Sequence, residues 1–372
     1  MKIIYVLDNY TGTGGIERTI SLKTNWLAAH GYDVGIVAIG HDPRKQPFFH
    51  FDERIRLYDL GLASRSTGRK NKRLFIDRLT ALLEEIRPDI TVAAGRRLLY
   101  SVCDASDGSK KVLESHFNKY GRKRTFSKLE QYAPGRWFLR LYYRNQHRKV
   151  KHFDCLVLLT EEDSRSWQKV GVESMVVIGN PLSFQPETLS ELSHKRILAI
   201  GRHEHQKGFD QLIDIWRKME SEYPDWVLTI VGEGRKKERL EKQIAGYGIA
   251  QRVELLPPEK DILSRFRQSA VYVMTSNYEG QPMVLLESMV CGVPPVAYAC
   301  KCGPRDLIED GVGGFLVDPG DKNQFARKLK MLLDSPELRS HFGGEARESV
   351  RRFNIESIMS LWEVLFRRLA GC

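Results

Sequence analysis

The chain contains no apolar run approaching the roughly 20 residues that a membrane-spanning helix needs. Ile3–Leu7 is apolar but stops at Asp8, too short for the core of a signal peptide. Six cysteines are scattered through 372 residues, and only Cys300 and Cys302 lie close together. A Cys-x-Cys without a second pair does not match zinc-site spacing, so reduced thiols of a cytosolic protein are the expectation. There is no internal repeat and no low-complexity segment. One stretch lacks acids: between Phe117 and His152, eleven Lys or Arg face the single acid Glu130, a local net charge of +10. The whole chain carries +11, so the excess is a localised patch on an otherwise near-neutral protein.

What is present is alternation. At 42% hydrophobic, 372 residues exceed one ordinary core and predict two domains. Short apolar runs at Ile3–Leu7, Val34–Ile39, Asp89–Ala94, Lys111–Ser115, Cys155–Leu159 and Met175–Ile178 read as buried strands. The segment Ile16 to His30 has helical spacing and ends at Gly31, and Thr160-Glu161-Glu162-Asp163 reads as a capping box. A second series runs through Arg196–Ile200, Trp226–Val231, Val253–Leu256, Val271–Thr275 and Pro295–Tyr298, with a helix from Phe209 to Met219. Such series predict parallel sheets covered on both faces, hence two doubly wound α/β domains with a cleft between them. The expected boundaries are 1–180, a polar linker at 181–194, 195–351, and a C-terminal helix over 352–372. That helix presents Ile355, Ile358, Trp362, Leu365 and Leu369 on one face, with Asn354 as N-cap.

Ligands bind beyond the carboxyl ends of strands in such sheets, and three loops fall there. Gly12-Thr13-Gly14-Gly15-Ile16-Glu17-Arg18 offers backbone donors to an anion ahead of a helix. It is not the Gly-x-Gly-x-x-Gly dinucleotide fingerprint, since Glu17 stands where the third glycine would fall, and it reads equally as a tight turn. Gly201 to Gly208 brings Arg202 and Lys207 to one strand end, a fork and a point charge suited to a diphosphate or simply two solvated cations. His203 and His205, two apart, read as surface residues rather than metal ligands. Glu279-Gly280-Gln281-Pro282-Met283 leads into a helix carrying Glu287. Two carboxylates beside a helix N-terminus suit sugar hydroxyls next to a phosphate, or form an acid pair favoured by the helix dipole. The turn Cys302-Gly303-Pro304-Arg305-Asp306 opens another helix near the same edge.

Taken together, Gly201-Arg202…Lys207-Gly208 followed by Glu279-Gly280…Pro282…Glu287 resembles the retaining glycosyltransferases of family 4 (glycosyl transferases group 1), of the bacterial surface-polysaccharide type. Gly14-Gly15 resembles that family's N-terminal loop and His116 its active-site histidine. Asn180-Pro181 resembles its interdomain hinge, and Gly311…Gly314-Phe315-Leu316-Val317 its C-terminal signature. The likeness runs through essentially the whole chain. Gln206 departs from it, since Glu usually precedes the Lys, and Gln281 replaces a frequent aromatic.

The resemblance implies a GT-B fold: two Rossmann-like domains facing across a cleft, the first binding the acceptor and the second the nucleotide sugar, with the C-terminal helix crossing back. It implies that Arg202 and Lys207 bind the donor diphosphate and stabilise it as it leaves. Glu287 would accept from ribose hydroxyls. Glu279, with the backbone of Gly280, Gln281, Pro282 and Met283 as a segment, would hold the donor sugar. His116 would lie by the reacting sugar, and Gly14 and Gly15 would close on the phosphates. The implied activity is metal-independent transfer, with no cofactor, of a hexose or N-acetylhexosamine from a nucleotide-diphosphate sugar, UDP preferred, to a glycan or polyprenyl-linked glycan in lipopolysaccharide or capsule biosynthesis. The sequence contains no Asp-x-Asp, which fits a metal-free site.

In the basic stretch, Arg136, Arg140, Arg144 and Arg148 recur every four residues beside Trp137, Phe138, Leu141, Tyr142 and Tyr143. This suits an anionic membrane surface, or a solvated helix with its aromatics in a core. The expected location is cytoplasmic, peripheral on the inner face of the cell membrane. Two other readings are weighed: a nucleotide-sugar epimerase or NAD-linked oxidoreductase on similar sheets, and a nucleic-acid-binding protein using the 117–152 patch. The missing dinucleotide fingerprint and the second-half phosphate pair argue against the oxidoreductase. A nucleic-acid binder would leave the acid pair and the glycine-rich loops unexplained, so no nucleic acid is expected.

Overall fold

Continuous apolar runs produce strands buried on both faces, and the two series build two sheets. The computed structural model describes residues 1–12, 14–40, 44–62, 69–95, 97–116, 137, 144–259 and 261–371. The chain divides into two units, Met1–Ser183 with Ile355–Cys372, and Phe184–Asn354.

The first unit holds β1 (Lys2–Leu7), β2 (Asp33–Ala38), β3 (Arg56–Asp59), β4 (Ile90–Ala94), β5 (Lys110–Ser115), β6 (Cys155–Leu158) and β7 (Met175–Val177). They lie in the order β3-β2-β1-β4-β5-β6-β7, every pair parallel. The second unit holds β8 (Arg196–Ile200), β9 (Val227–Val231), β10 (Val253–Leu256), β11 (Val271–Met274), β12 (Pro295–Tyr298) and β13 (Phe315–Val317). Its order is β10-β9-β8-β11-β12-β13, again all parallel. Both sheets are therefore doubly wound, as the alternation predicts. Each changes winding direction beside its first strand, between β1 and β4 and between β8 and β11. There the loops leaving the two strands diverge and open a crevice.

Residues Ile4, Val6, Leu113 and Leu156 contribute to the first unit's core, and Leu228, Ile230, Val271 and Val296 to the second's. Local signals place the helices. Gly31, at φ +82, follows the helix Gly15–Ala29. Thr160 Oγ1 accepts from the Asp163 amide at 3.3 Å and starts the helix Glu161–Gln168. In the C-terminal helix Ile355–Ala370, Ile358, Met359, Trp362, Leu365 and Phe366 are buried. Ile355 and Leu369, expected on the same face, are only half-buried, because Met359 and Phe366 take the inner positions. The helix packs on the Gly15–Ala29 helix and β4. The Asn354 side chain donates back to the Arg351 carbonyl at 2.8 Å.

The sequence reading assigns nothing between 40 and 88, where the structure has β3 and the helix Arg69–Ile86. The polar segment after Ser183 is held within the second unit. Ser190 donates its amide to Cys291 O (3.1 Å) and its hydroxyl to Ser269 O (2.7 Å).

Candidate active site

The strands β8 and β11 are neighbours in register, with Val271 opposite Ile197 and Tyr272 opposite Leu198. Their following loops therefore emerge side by side at the switch point of the second sheet. The loop after β8 carries Arg202 and Lys207, and the loop after β11 carries Glu279. Between them runs a continuous polar network. Lys207 Nζ is 2.8 Å from Glu279 Oε1. Gln206 Nε2 donates to Glu279 Oε2 and to the Tyr278 carbonyl, both at 3.2 Å. Gln206 Oε1 accepts from an Arg202 terminal nitrogen at 3.2 Å. Gln206 is thus the bridge between guanidinium and carboxylate. A side-chain amide can accept on one side and donate on the other, which a carboxylate cannot. In the sequence Gln206 shows only as a departure from the family pattern; its place between the two charged loops is visible only in three dimensions.

The backbone fixes these loops to each other. The Asn277 amide donates to Gln206 O at 2.8 Å, and Thr275 Oγ1 donates to Gly208 O at 3.1 Å. Gly208 sits at φ +62, and a Cβ there would lie 2.2 Å from the Thr275 carbonyl oxygen. Only glycine allows the two loops to close to this distance. On the other flank, a Cβ on Gly303 (φ +101) would lie 2.5 Å from the Gly280 carbonyl oxygen and 2.4 Å from Pro282 Cδ. The turn after β12 therefore packs directly on the Gly280–Pro282 segment. The Glu279 amide also donates to Lys301 O at 3.3 Å.

Pro282 is the N-cap of the helix Met283–Val290. The Leu285 and Leu286 amides both turn back to the Pro282 carbonyl. The helix geometry leaves the Met283 and Val284 amides without intrahelical acceptors, beside the positive end of the dipole. Glu287 lies one turn further in and is 3% exposed; Glu279 is 6% exposed and Gln281 is likewise buried. Burial raises the Tyr272 phenol well above its ordinary value, and the charges of Glu279 and Glu287 add to it. Both carboxylates therefore act on one buried ring of β11. The structure brings Arg202, Lys207, Glu279 and Glu287 to one sheet edge, the first three in one bonded chain. Arg202 is exposed and available to a ligand.

One expectation fails here. His203 is not a surface residue but 1% exposed. The loop after β9 covers it: the His203 amide donates to Glu233 O at 2.7 Å, and its carbonyl accepts from the Lys236 amide at 2.9 Å. Its ring meets Phe209 edge-on at 5.7 Å. Burial, with the nearby Lys237 charge, lowers its pKa and keeps it neutral. His205, two positions further along the loop, is exposed as expected.

The first unit holds a separate group of residues. Gly14 is the N-cap of the Gly15–Ala29 helix, and the Glu17 carboxylate reaches back over Gly12 and Gly14. His116 follows β5 directly and is buried. Its Nε2 lies 3.1 Å from Glu114 Oε1, and Lys23 Nζ lies 2.5 Å from both Glu114 oxygens. The Lys23 ammonium also sits 4.4 Å from the Trp362 ring centroid. Burial alone would raise the Glu114 carboxyl, but the Lys23 ammonium bonded to it, with His116 alongside, holds it down at about 2. Burial lowers the Lys23 pKa against the pull of Glu114. Neither Lys23 nor Glu114 was singled out from the sequence. Two charged residues 91 positions apart carry no joint signal until the sheet is assembled.

Among the described residues no group of three or more His, Cys, Asp or Glu could hold a metal ion. None of the helices among them is long and apolar enough to cross a membrane. Most of the basic stretch, including Arg136, Arg140, Phe138, Leu141, Tyr142 and Tyr143, lies outside the described residues. Within it Trp137 is 66% exposed, and Arg144 and Arg148 are exposed on a helical segment.

The sequence profile of the family described as glycosyl transferases group 1 matches residues 183–349, and that of the glycosyl transferase 4-like domain matches 14–181. An uncharacterized glycosyltransferase of Haemophilus influenzae is 30% identical over 367 residues, covering 97% of this chain and 99% of that one. The chain belongs to the group 1 glycosyltransferases. This decides for a transferase over the epimerase and oxidoreductase readings. The amylovoran biosynthesis glycosyltransferase AmsD of Erwinia amylovora is 27% identical to this glycosyltransferase, covering 97% of this chain and 98% of its own. A variant of S. aureus TarM, solved with fondaparinux, alpha-GlcNAc-glycerol and UDP, aligns with TM-score 0.79 at 16% identity, covering 98% of this chain and all of that one. At that identity the likeness speaks for the GT-B fold.

Proposed function

We propose that this glycosyltransferase is a retaining, metal-independent enzyme. It moves a hexose or N-acetylhexosamine from a UDP-sugar to a hydroxyl of a glycan or polyprenyl-linked glycan. The observation that carries the reading is the Arg202–Gln206–Glu279–Lys207 network at the β8/β11 switch point. It sets two cations and an acid side by side where a doubly wound sheet receives nucleotides. The UDP in the TarM structure and the polysaccharide role named for AmsD support the donor and the acceptor class.

In this reading Arg202 and Lys207 hold the diphosphate and take up the charge that builds on it as the C1–O bond breaks. Two fixed cations do there what a divalent ion does elsewhere. Glu287 receives ribose hydroxyls, and Glu279 with the Gly280–Met283 backbone receives sugar hydroxyls. The acceptor oxygen bonds to C1 on the face the phosphate leaves, its proton passes to the departing phosphate oxygen, and UDP is released. Gly14 and Gly15 contribute amides toward the phosphates, and His116 lies by the reacting sugar. The basic stretch, with exposed Trp137, Arg144 and Arg148, holds the enzyme on an anionic membrane surface, the inner leaflet for a polyprenyl-linked acceptor.

The test is nucleotide release. The enzyme is mixed with UDP-GlcNAc, UDP-glucose, UDP-galactose or GDP-mannose and a membrane extract as acceptor, with and without EDTA. UDP release from one UDP-sugar, undiminished by EDTA and with the anomeric configuration kept in the product, supports the reading. Release only from GDP-mannose, loss with EDTA, or inversion at C1 contradicts it.

A further inference from the structure

Buried in the first unit is a charged group that the transfer reaction, as described, does not use. Glu114 and His116 are two apart at the end of β5, so both project on one side of the sheet. Glu114 is 1% exposed, Lys23 is fully buried, and Tyr5 and Trp362 enclose the pair. A buried ion pair contributes little net stability over apolar residues of the same size. Stability alone therefore does not account for it. His116 Nε2 lies 3.1 Å from Glu114 Oε1 but outside hydrogen-bond alignment. Since a carboxylate offers only lone pairs, the neutral ring avoids repulsion with its proton on Nε2. That leaves Nδ1, with its lone pair, as the nitrogen His116 can offer to a ligand hydroxyl.

We propose that Glu114 is a positioning residue for His116, that Lys23 is its buried counter-charge, and that the three act as one unit. The proposal rests on the reading of His116 as the histidine beside the reacting sugar. Lys23 belongs to the helix that starts at the Gly14–Gly15 loop, and its ammonium is capped by the Trp362 ring of the C-terminal helix. The unit thus ties the ring of His116 to the scaffold of the glycine loop and to the last helix of the chain. Without the carboxylate, nothing on this side selects between the two tautomers of the ring.

The experiment compares wild type with Lys23→Met/Glu114→Gln, which removes both charges together and leaves no unpaired ion. Two readouts are taken. Long-range proton–nitrogen spectra report the His116 ring, assigned by its disappearance in His116→Gln. Steady-state kinetics separate kcat from donor KM. We expect one Nε2-protonated tautomer in wild type and a mixture in the double variant. We expect kcat to fall about 10-fold or more, with donor KM within about 2-fold. If the double variant does not fold, Glu114→Asp carries the same readouts, since it keeps the charge but withdraws the carboxylate by one methylene. An unaltered single tautomer, or an unaltered kcat, overturns the positioning role. The spectra need no substrate, so they separate two failures. An undisturbed ring overturns the proposal itself. A disturbed ring with full kcat in His116→Ala overturns the placement of His116 at the reacting sugar.

Discussion

Lys207 Nζ stands 2.8 Å from Glu279 Oε1 and joins the loops of two adjacent parallel strands. The cation assigned to the diphosphate is thus paired with the acid assigned to the sugar. Both side chains are largely buried, at 15% and 7% exposure. A donor diphosphate would take over Lys207 and free Glu279 for hydroxyls, so one contact exchanges for two as the ligand enters.

This coupling predicts a non-additive pair. Lys207→Ala and Glu279→Ala should each lower kcat/KM by about 10²-fold or more, as expected for lost charge stabilisation. The double variant should lose far less than the product of the two, because each single change also strands its partner. Measured kcat/KM values over the full cycle check this; strictly multiplicative losses would show that the pair does not act as a unit.

Gly208→Ala tests the loop geometry without touching a charged group. At φ +62, and with a Cβ 2.2 Å from the Thr275 carbonyl oxygen, the loops must separate or the backbone must shift. Strain of this kind costs about 2 kcal/mol or more. That corresponds to a melting temperature lower by about 5 °C or more in a unit of this size. Scanning calorimetry reads the outcome; an unchanged transition would mean that the loops are not closely joined.

The doubly wound architecture was legible because parallel strands buried on both faces leave continuous apolar runs, as in Ile3–Leu7 and Val271–Met274. The edge strand β3 was not, since its residues are mostly exposed and leave no run. The helix Arg69–Ile86 does carry a pattern: Phe75, Leu79, Leu83 and Ile86 are buried at helical spacing. Arg202, Lys207, Glu279 and Glu287 were found because each sits at the end of a recognisable strand or one turn into the next helix. The bridge by Gln206, the burial of His203 and the Lys23–Glu114 pair depend on which loops lie side by side. That information resides in the strand order, not in local sequence.

Acid should reveal the buried pair. Glu114 is held at about 2, below its ordinary 4.5. A carboxyl with a depressed folded pKa contributes stability that is present above its unfolded pKa and lost as pH falls toward the folded value. Between about pH 5 and pH 2, wild type should therefore lose more stability than Lys23→Met/Glu114→Gln. Denaturant unfolding at several pH values measures the difference; parallel pH profiles would count against an ionised Glu114. In Lys23, whose pKa is lowered, the sign is opposite. The penalty of burying its ammonium is present at neutral pH and falls away as pH rises toward 10.5.

Membrane attachment is tested on charge alone. Replacing Arg140, Arg144 and Arg148 by Glu reverses three of the eleven cations of the 117–152 stretch. At about 1 kcal/mol for each cation near an anionic surface, partition should fall by more than about 10²-fold. Co-sedimentation with vesicles containing anionic lipid reads this, alongside activity on a soluble acceptor, which should persist. Unchanged partition would assign the stretch to another role.

The most direct measurement is calorimetric titration of UDP into wild type, Lys207→Ala and Glu287→Ala. Wild type should show one site, weakened about 10-fold or more in each variant by loss of a charge-assisted contact. Absence of UDP binding, or equal affinity in all three proteins, would contradict the claim that this strand edge grips a nucleoside diphosphate.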